Sequence, residues 1–418
     1  MSNFSKIKIA DIGLTITGKT PSSKNPEDFG FSETMFVTPS DSFDKKTMNS
    51  TERYLSIEGV RKLSNKLLPL NSVMVTCIGS AMGKVTMNAK RCITNQQINS
   101  IIPNDNHDSN YIYYALKNNY KLLRNASSGS TALPILNKTD FDLLEIVIHN
   151  SKKSQQKIAT VLSALDAKIE LNNQINAELE KMAKTIYDYW FVQFDFPDAN
   201  GKPYKSSGGK MVWNEELKRE IPTGWEVLDL DKIENNIITG KTPSTSNDSY
   251  FDGDVPFICI GDVRGNMHIV ETEITLTQAG AESQNNKFIP KGSICVTCIA
   301  SPGLVAFATR DSQTNQQLNS IVCEYLENRY YLYFYLTDYF KYAKAKTGNT
   351  FANMNKGDFS VIKVLKPSKE LLINFCKILD SSIDKILNNS LENQTLAELR
   401  DWLLPMLMNG QVKVEQKT

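Results

Sequence analysis

The chain has 418 residues, 41% of them hydrophobic and 22% charged, with 47 Lys and Arg against 46 Asp and Glu for a net charge of +1. That length asks for more than one compact unit, and the composition excludes a disordered or collagen-like chain. No apolar run approaches the ~18 residues of a membrane helix. The N-terminus MSNFSKIKIADIG has no apolar core of the signal-peptide kind, and the seven cysteines are an odd number, so reduced thiols and a cytoplasmic location are expected.

The first feature along the chain is a motif. Gly13-Leu-Thr-Ile-Thr-Gly18-Lys19-Thr20 satisfies G-x-x-x-x-G-K-[ST], the pattern in which backbone N–H groups and a lysine cradle phosphates. Its surroundings argue against a nucleotide site. SKIKIADI before it alternates charged and apolar residues instead of forming a buried strand. PSSKNPEDF after it carries prolines 21 and 26 and no apolar helical stripe. SVMVTCI (72–78) reads as a strand and YIYYALKNNYKLL (111–123) as an amphipathic helix. The polar loop Ser128-Gly-Ser130-Thr131 follows near Arg124, and its hydroxyls and N–H groups suit phosphate; a plain surface loop reads equally well.

Ser151 is placed to cap a long helix, KKSQQKIATVLSALDAKIELNNQINAELEKMAKTIYDYWF. A seven-residue frame picks Ile158, Val161, Leu165, Lys168, Asn172, Ile175, Leu179, Met182, Ile186 and Tyr189, a coiled-coil seam interrupted by two polar residues. As one helix, 151–194 would span about 66 Å at ~1.5 Å per residue. FPDANGKPYKSSGGK reads as a linker.

The chain then repeats itself. Thr17-Gly-Lys-Thr-Pro-Ser22 returns as Thr239-Gly-Lys-Thr-Pro-Ser244, at an offset of 239 − 17 = 222. At an offset of 221, Phe36 matches Phe257, Asp41 matches Asp262, and Val75-Thr-Cys-Ile78 matches Val296-Thr-Cys-Ile299. Thr94-Asn-Gln-Gln97 returns as Thr314-Asn-Gln-Gln317 after one deletion, and Asn137-Lys-Thr-Asp-Phe141 as Asn355-Lys-Gly-Asp-Phe359. Pro367-Ser368 opens a second long helix with seam candidates Leu372, Phe375, Leu379, Ile386, Leu396 and Leu403, and Pro405 with Asn409-Gly410 marks its bend and stop. The two helices either pair with each other or merely close their own domains.

The repeat tests each motif. Asn235 stands where the first copy has Gly13, so the leading glycine of the phosphate pattern is not shared. Cys295-Val-Thr-Cys298 has Met74 opposite Cys295 and no partner pair among three histidines, so it reads as strand packing. Asn95-Gln96-Gln97 could bind adenine. If the copies read different sequences, however, shared residues should build the fold or touch phosphate, and residues that differ should read bases. Those are Ser42–Asn49 with Lys45 and Lys46, and Val263–His268 with Arg264 and Asn266. The second polar loop, Thr347-Gly-Asn349-Thr350, lies near Lys344 and Lys346. No Ser/His/Asp set, cofactor loop or amino-methyltransferase motif emerges, which favours a binding protein.

IPTGW (221–225), TERYLSIEG (51–59), VTCIGSAMGKV (75–85), TNQQINSI (94–101) and the helix ends YDYWFVQFDFP and RDWLLPMLMNG together make the chain resemble the specificity (S) subunit of type I restriction–modification systems. The resemblance implies an α/β fold plus long helices: two tandem target-recognition domains separated by two long helices that form an antiparallel coiled coil with pseudo-twofold symmetry. On that reading residues 1–150 are the first recognition domain, 151–195 its helix, 196–220 a linker, 221–367 the second domain and 368–412 the C-terminal helix. The resemblance further implies double-stranded DNA with a bipartite target, two modification subunits, and restriction subunits as partners. S-adenosylmethionine, ATP and Mg would sit on those partners, with no cofactor and no catalytic residue on this chain. A P-loop ATPase or GTPase and a protein-binding scaffold are the competing classes. Residues 1–150 carry 17 Lys and Arg against 13 Asp and Glu, net +4, and residues 216–367 carry 15 against 18, net −3, so weak DNA binding by the isolated chain is expected.

Overall fold

The computed structural model describes residues 3–22, 24–30, 34–126, 135–347 and 353–414. The chain divides into two compact units. One comprises residues 1–170 with 395–418, the other residues 171–394. Each unit therefore holds one copy of the repeat and pieces of both long helices.

In the first unit the strands are ordered Gly13–Thr17, Ile98–Pro103, Val73–Thr76, Val85–Asn88 and Thr47–Met48. Neighbours are antiparallel except the last pair, which is parallel. In the second unit the sheet repeats as Ile237–Thr239, Leu318–Ile321, Ile294–Thr297, Val305–Ala308 and His268–Ile269, with the same directions. Register is conserved too: Val75 lies opposite Asn99 and Val296 opposite Asn319. A three-stranded sheet flanks each, with Met35–Val37 between Arg53–Tyr54 and Cys92–Thr94, and Phe251–Ile258 between Ile274–Leu276 and Gln313–Thr314. A two-stranded ribbon closes each copy by pairing its first strand with its last, Phe4–Lys8 with Glu145–His149 and Glu226–Asp229 with Lys363–Lys366.

The first long helix runs Lys152–Tyr187, about 54 Å at ~1.5 Å per residue. Ser151 Oγ accepts the N–H of Ser154, which satisfies one free donor of the first turn. Past Tyr187 the coil widens into a π-turn over Asp188–Val192, and Phe194 adopts φ 67°, which ends the helix short of residue 194. The widened turn aims Trp190 and Phe191 into the second unit's core. Ring centroids there lie 4.9 Å apart for Phe191 and Phe375, and 4.8 Å apart for Phe191 and Tyr331. The second long helix, Lys369–Met408, passes through Pro405 and stops only at Met408, where Gly410 takes φ 78°. Val412 N–H then bonds the carbonyl of Met406. Leu404, Leu407 and Met408 are buried in the first unit's core with Tyr111, Ile112, Ile158 and Leu162.

Where both helices run side by side they are antiparallel. In the second unit Asn172 meets Asn393 and Asn176 meets Asn389; in the first, Asp166 pairs with Arg400 at 2.7 Å. Of the expected seam, Ile158, Leu372, Phe375, Leu379 and Ile386 are buried, and Val161, Leu165, Ile175, Leu179 and Leu396 are half-buried. Met182 is a correction: it is 47% exposed, while Ala183 beside it is fully buried. A strict seven-residue frame drifts about 20° per heptad on a straight 3.6-residue helix. Two heptads past Lys168 the stripe has moved from Met182 and Tyr189 onto Ala183, Tyr187 and Trp190.

Candidate nucleic-acid interface

The letters shared by the copies are consumed, nearly all of them, in building the same framework twice. Thr17 and Thr239 each donate a hydroxyl to the facing strand's amide, Asn99 or Asn319, at 2.6 Å. Those buried amides in turn donate to Cys77 and Cys298 Sγ at 3.3 Å. Gly18 and Gly240 are glycines because a Cβ would stand about 2.1 Å from the carbonyl oxygens of Thr94 and Asn315 respectively. Asn95 and Gln97 satisfy each other, side chain to side chain and side chain to backbone, and Asn315 and Gln317 repeat both bonds. These amides hold a turn.

The turn stands at the foot of the loops where the copies diverge. Asn95 N–H bonds the carbonyl of Val37, and Asn315 N–H that of Ile258. One residue further on a shared aspartate staples the loop closed. Asp41 accepts the N–H of Thr38 at 2.8 Å and of Glu52 at 3.0 Å; Asp262 accepts those of Cys259 at 2.7 Å and Glu273 at 3.0 Å. Between the two ends of the staple lie Ser42–Asn49 in one copy and Val263–His268 in the other. The repeated aspartate is legible as a letter, and its role as a staple is set by the fold.

Within those loops the candidate side chains differ in their freedom. Arg264 and Asn266 are exposed on either side of Gly265, whose φ of 77° turns the chain between them. Arg264 reaches Ser301 Oγ at 3.4 Å, and Asn266 donates to the carbonyl of Asp262 at 3.1 Å. Lys45 is exposed and lies 3.5 Å from Glu170. Lys46 is turned inward: its ammonium donates to Ser163 Oγ at 2.6 Å and sits 5.0 Å from the centre of the Tyr114 ring. Burial lowers its pKa, opposed by the Asp166 and Asp108 carboxylates. Lys46 thus joins a domain-to-helix junction in which Tyr114 donates its hydroxyl to Asp166, which also pairs with Arg400. Sequence spacing gave no sign of this, since Lys46 and Ser163 are 117 residues apart. Ser128, Ser130, Thr131, Asn349 and Thr350 lie outside the described residues, and Thr347 is the last residue of the helix Arg329–Thr347.

The nucleotide-type motif resolves as strand. Gly13–Thr17 pairs antiparallel with Ile98–Pro103, and among the described residues only a short 3-10 turn, Pro26–Asp28, follows it before residue 30. A P-loop needs a helix whose N-terminus meets the phosphates. Cys295 and Cys298 are buried in two different core clusters, on opposite faces of the central sheet. Burial raises both thiols, to about 12 and about 11, so neither is a ready thiolate. No cluster of metal-ligating side chains occurs among the described residues.

The family model described as the type I restriction modification DNA specificity domain matches residues 1–181 and again 222–400. The type I restriction enzyme HindI specificity subunit of Haemophilus influenzae is 34% identical over 349 residues, covering 70% of this chain and 74% of that protein. The MjaIX specificity subunit of Methanocaldococcus jannaschii is 28% identical over 421 residues, covering 98% of this chain and 93% of that one. Among solved structures, the S subunit of a type I restriction–modification system from M. genitalium shares the fold, with a TM-score of 0.58 at 17% identity over 99% of this chain and 97% of that chain. The chain therefore belongs to the type I restriction modification DNA specificity family, as a specificity subunit.

Proposed function

We propose that each repeat reads one half of a bipartite DNA target while the paired helices fix the distance between the halves. The observation that carries this reading is the double staple: Asp41 and Asp262 close two loops in the same way around different residues. One framework presenting two dissimilar surfaces is what a reader of two dissimilar half-sites needs, since phosphate contacts position a protein and base contacts specify the sequence. The helical ruler follows from geometry, because two docking units at a set separation accept only spacers that keep both on the correct face of the duplex.

On this reading the chain does no chemistry. Two modification subunits carry S-adenosylmethionine and methylate adenine, restriction subunits use ATP and Mg, and the assembly works in the cytoplasm. No helix among the described residues is long and apolar enough to cross a membrane. Mapping methylated adenines genome-wide with and without this gene tests the reading. Loss of one bipartite motif is expected; an unchanged methylation pattern in an otherwise active system would refute it.

A further inference from the structure

We propose that Lys19 with Gln96, and Lys241 with Gln316, form one backbone-phosphate clamp per domain that engages DNA irrespective of sequence. This rests on the reading of the chain as a DNA-specificity subunit and adds to it the residues that hold the backbone.

The clamp is built identically twice. Lys19 N–H is pinned to the carbonyl of Thr94 at 2.8 Å, and Lys241 N–H to that of Thr314 at 2.9 Å. The next residue orients the glutamine: Thr20 Oγ1 donates to Gln96 Oε1 at 2.7 Å, and Thr242 Oγ1 to Gln316 Oε1 at 2.6 Å. That bond turns Oε1 toward the threonine and leaves both Nε2 donors of each glutamine to offer. Lys19, Lys241, Gln96 and Gln316 are all exposed. Neither ammonium and neither Nε2 has a hydrogen-bond or ion-pair partner among the described residues. A lysine ammonium and an amide N–H₂ are both donors that phosphate oxygens accept, and a pair kept in two copies whose divergent loops differ suits the backbone common to any sequence.

What the fold consumes separates these residues from their neighbours. Gly18, Asn95, Gln97, Thr17 and Asn99 recur because packing and hydrogen bonding require them. The Lys19 ammonium and the Gln96 amide nitrogen recur with no structural task. Nearby exposed positions have drifted, for Lys24 of the first copy is Ser246 in the second. The second domain keeps its clamp although residues 216–367 carry 15 basic against 18 acidic side chains, net −3. The seat also stands in the right place, one residue from the Asn95 and Asn315 bonds that anchor the foot of each divergent loop.

The test uses the complex with its modification subunits, comparing K19A, K241A, the double variant and K19R by duplex binding over a series of salt concentrations. Each lysine removed should make the slope of log K against log salt shallower by about 0.9, and the double variant about twice that. Affinity should fall by the same factor on cognate and scrambled DNA, with the methylated sequence and subunit stoichiometry unchanged and K19R retaining the wild-type slope. An unchanged slope in the double variant overturns the clamp, as does loss of modification subunits at an unchanged slope, which would mark a seat for protein carboxylates. A wild-type complex with no preference for any bipartite sequence would instead sink the specificity reading beneath it.

Discussion

Asn389 donates its side-chain amide to Oδ1 of Asn176 across 2.8 Å, and Asn172 donates to Asn393 across 3.0 Å. The two bonds are counterparts under one offset, since 389 − 172 = 393 − 176 = 217. The letters Leu171-Asn-Asn173 and Leu387-Asn-Asn389 match at 216, one residue away, so the hydrogen bonds and not the letters define the equivalence. Asn172 and Asn389 are buried almost completely. Asn389 Oδ1 stays buried without a partner among the described residues, but the Asn389 amide N–H₂ and the Asn176 oxygen meet in this register and would be stranded in any other, which gives the helices a fixed alignment.

Replacing Asn389 by Leu strands the Asn176 acceptor and should cost about 1–3 kcal/mol in urea denaturation. Replacing Asn176 and Asn389 together by Leu should recover most of that stability, as apolar substitution of buried polar sets often does. The double variant should then tolerate a wider range of spacer lengths in methylation assays. A single variant within about 0.5 kcal/mol of wild type, the range of ordinary surface changes, would remove the pair as a register device.

The drift of the buried stripe makes two residues of the expected seam behave oppositely. Met182 is 47% exposed and Ile386 is 1% exposed. Met182→Lys should change the stability of the isolated chain by no more than about 0.5 kcal/mol, and Ile386→Ala should cost about 2–5 kcal/mol. Thermal unfolding of both variants decides; a large loss in Met182→Lys would restore the strict heptad frame.

The contrast also shows what the sequence could carry. Duplication exposed the framework, because identical letters at constant spacing such as Asn95/Asn315 and Asp41/Asp262 mark identical hydrogen bonds. Helix starts were legible from Ser151 and Ser368, whose hydroxyls accept from the first turn. The buried face of the helices was not, because a 3.5 and a 3.6 period are indistinguishable over two turns and diverge over five. Nor was the fate of Lys46, whose neighbours in sequence are loop residues and whose neighbours in space are Ser163 and Tyr114. Pro405 with Asn409-Gly410 marked the end of the second helix, which stops at Met408. A proline in the last turn of a helix forfeits one hydrogen bond, and the burial of Leu404, Leu407 and Met408 outweighs that loss.

His268 should make the second unit sensitive to acid. The residue is 8% exposed, Nδ1 is buried without a partner among the described residues, and burial lowers its pKa to about 4 from 6.5. Lys291, Arg329 and Asp384 line the same cavity, and burial is what holds the ring neutral. A depressed histidine binds its proton in the unfolded chain first. Its contribution is therefore nil above about pH 7 and becomes a penalty as the pH falls from 6.5 toward 4, on the order of 3 kcal/mol in full. Thr47 occupies the aligned position in the first copy, and both residues pair with the neighbouring strand in the same register. His268→Thr should flatten the pH dependence of unfolding between pH 7 and 5. A variant as acid-sensitive as wild type would place the effect elsewhere.

Arg264 gives the most direct test of base reading. It is exposed at the tip of a loop whose two ends are fixed by Asp262, and Gly265 at φ 77° keeps the turn tight. Its 3.4 Å contact with Ser301 is long and leaves most of the guanidinium donors open. An arginine presented this way suits the paired acceptors of guanine. Arg264→Ala should cost about 1–3 kcal/mol of discrimination at one position of one half-site. The half-site read by the first copy should stay unchanged, because its own loop is stapled separately by Asp41. Sequencing the methylated sites of the variant separates the outcomes. Relaxation at a single position of one half supports the assignment, and a uniform loss across both halves would make Arg264 a backbone contact.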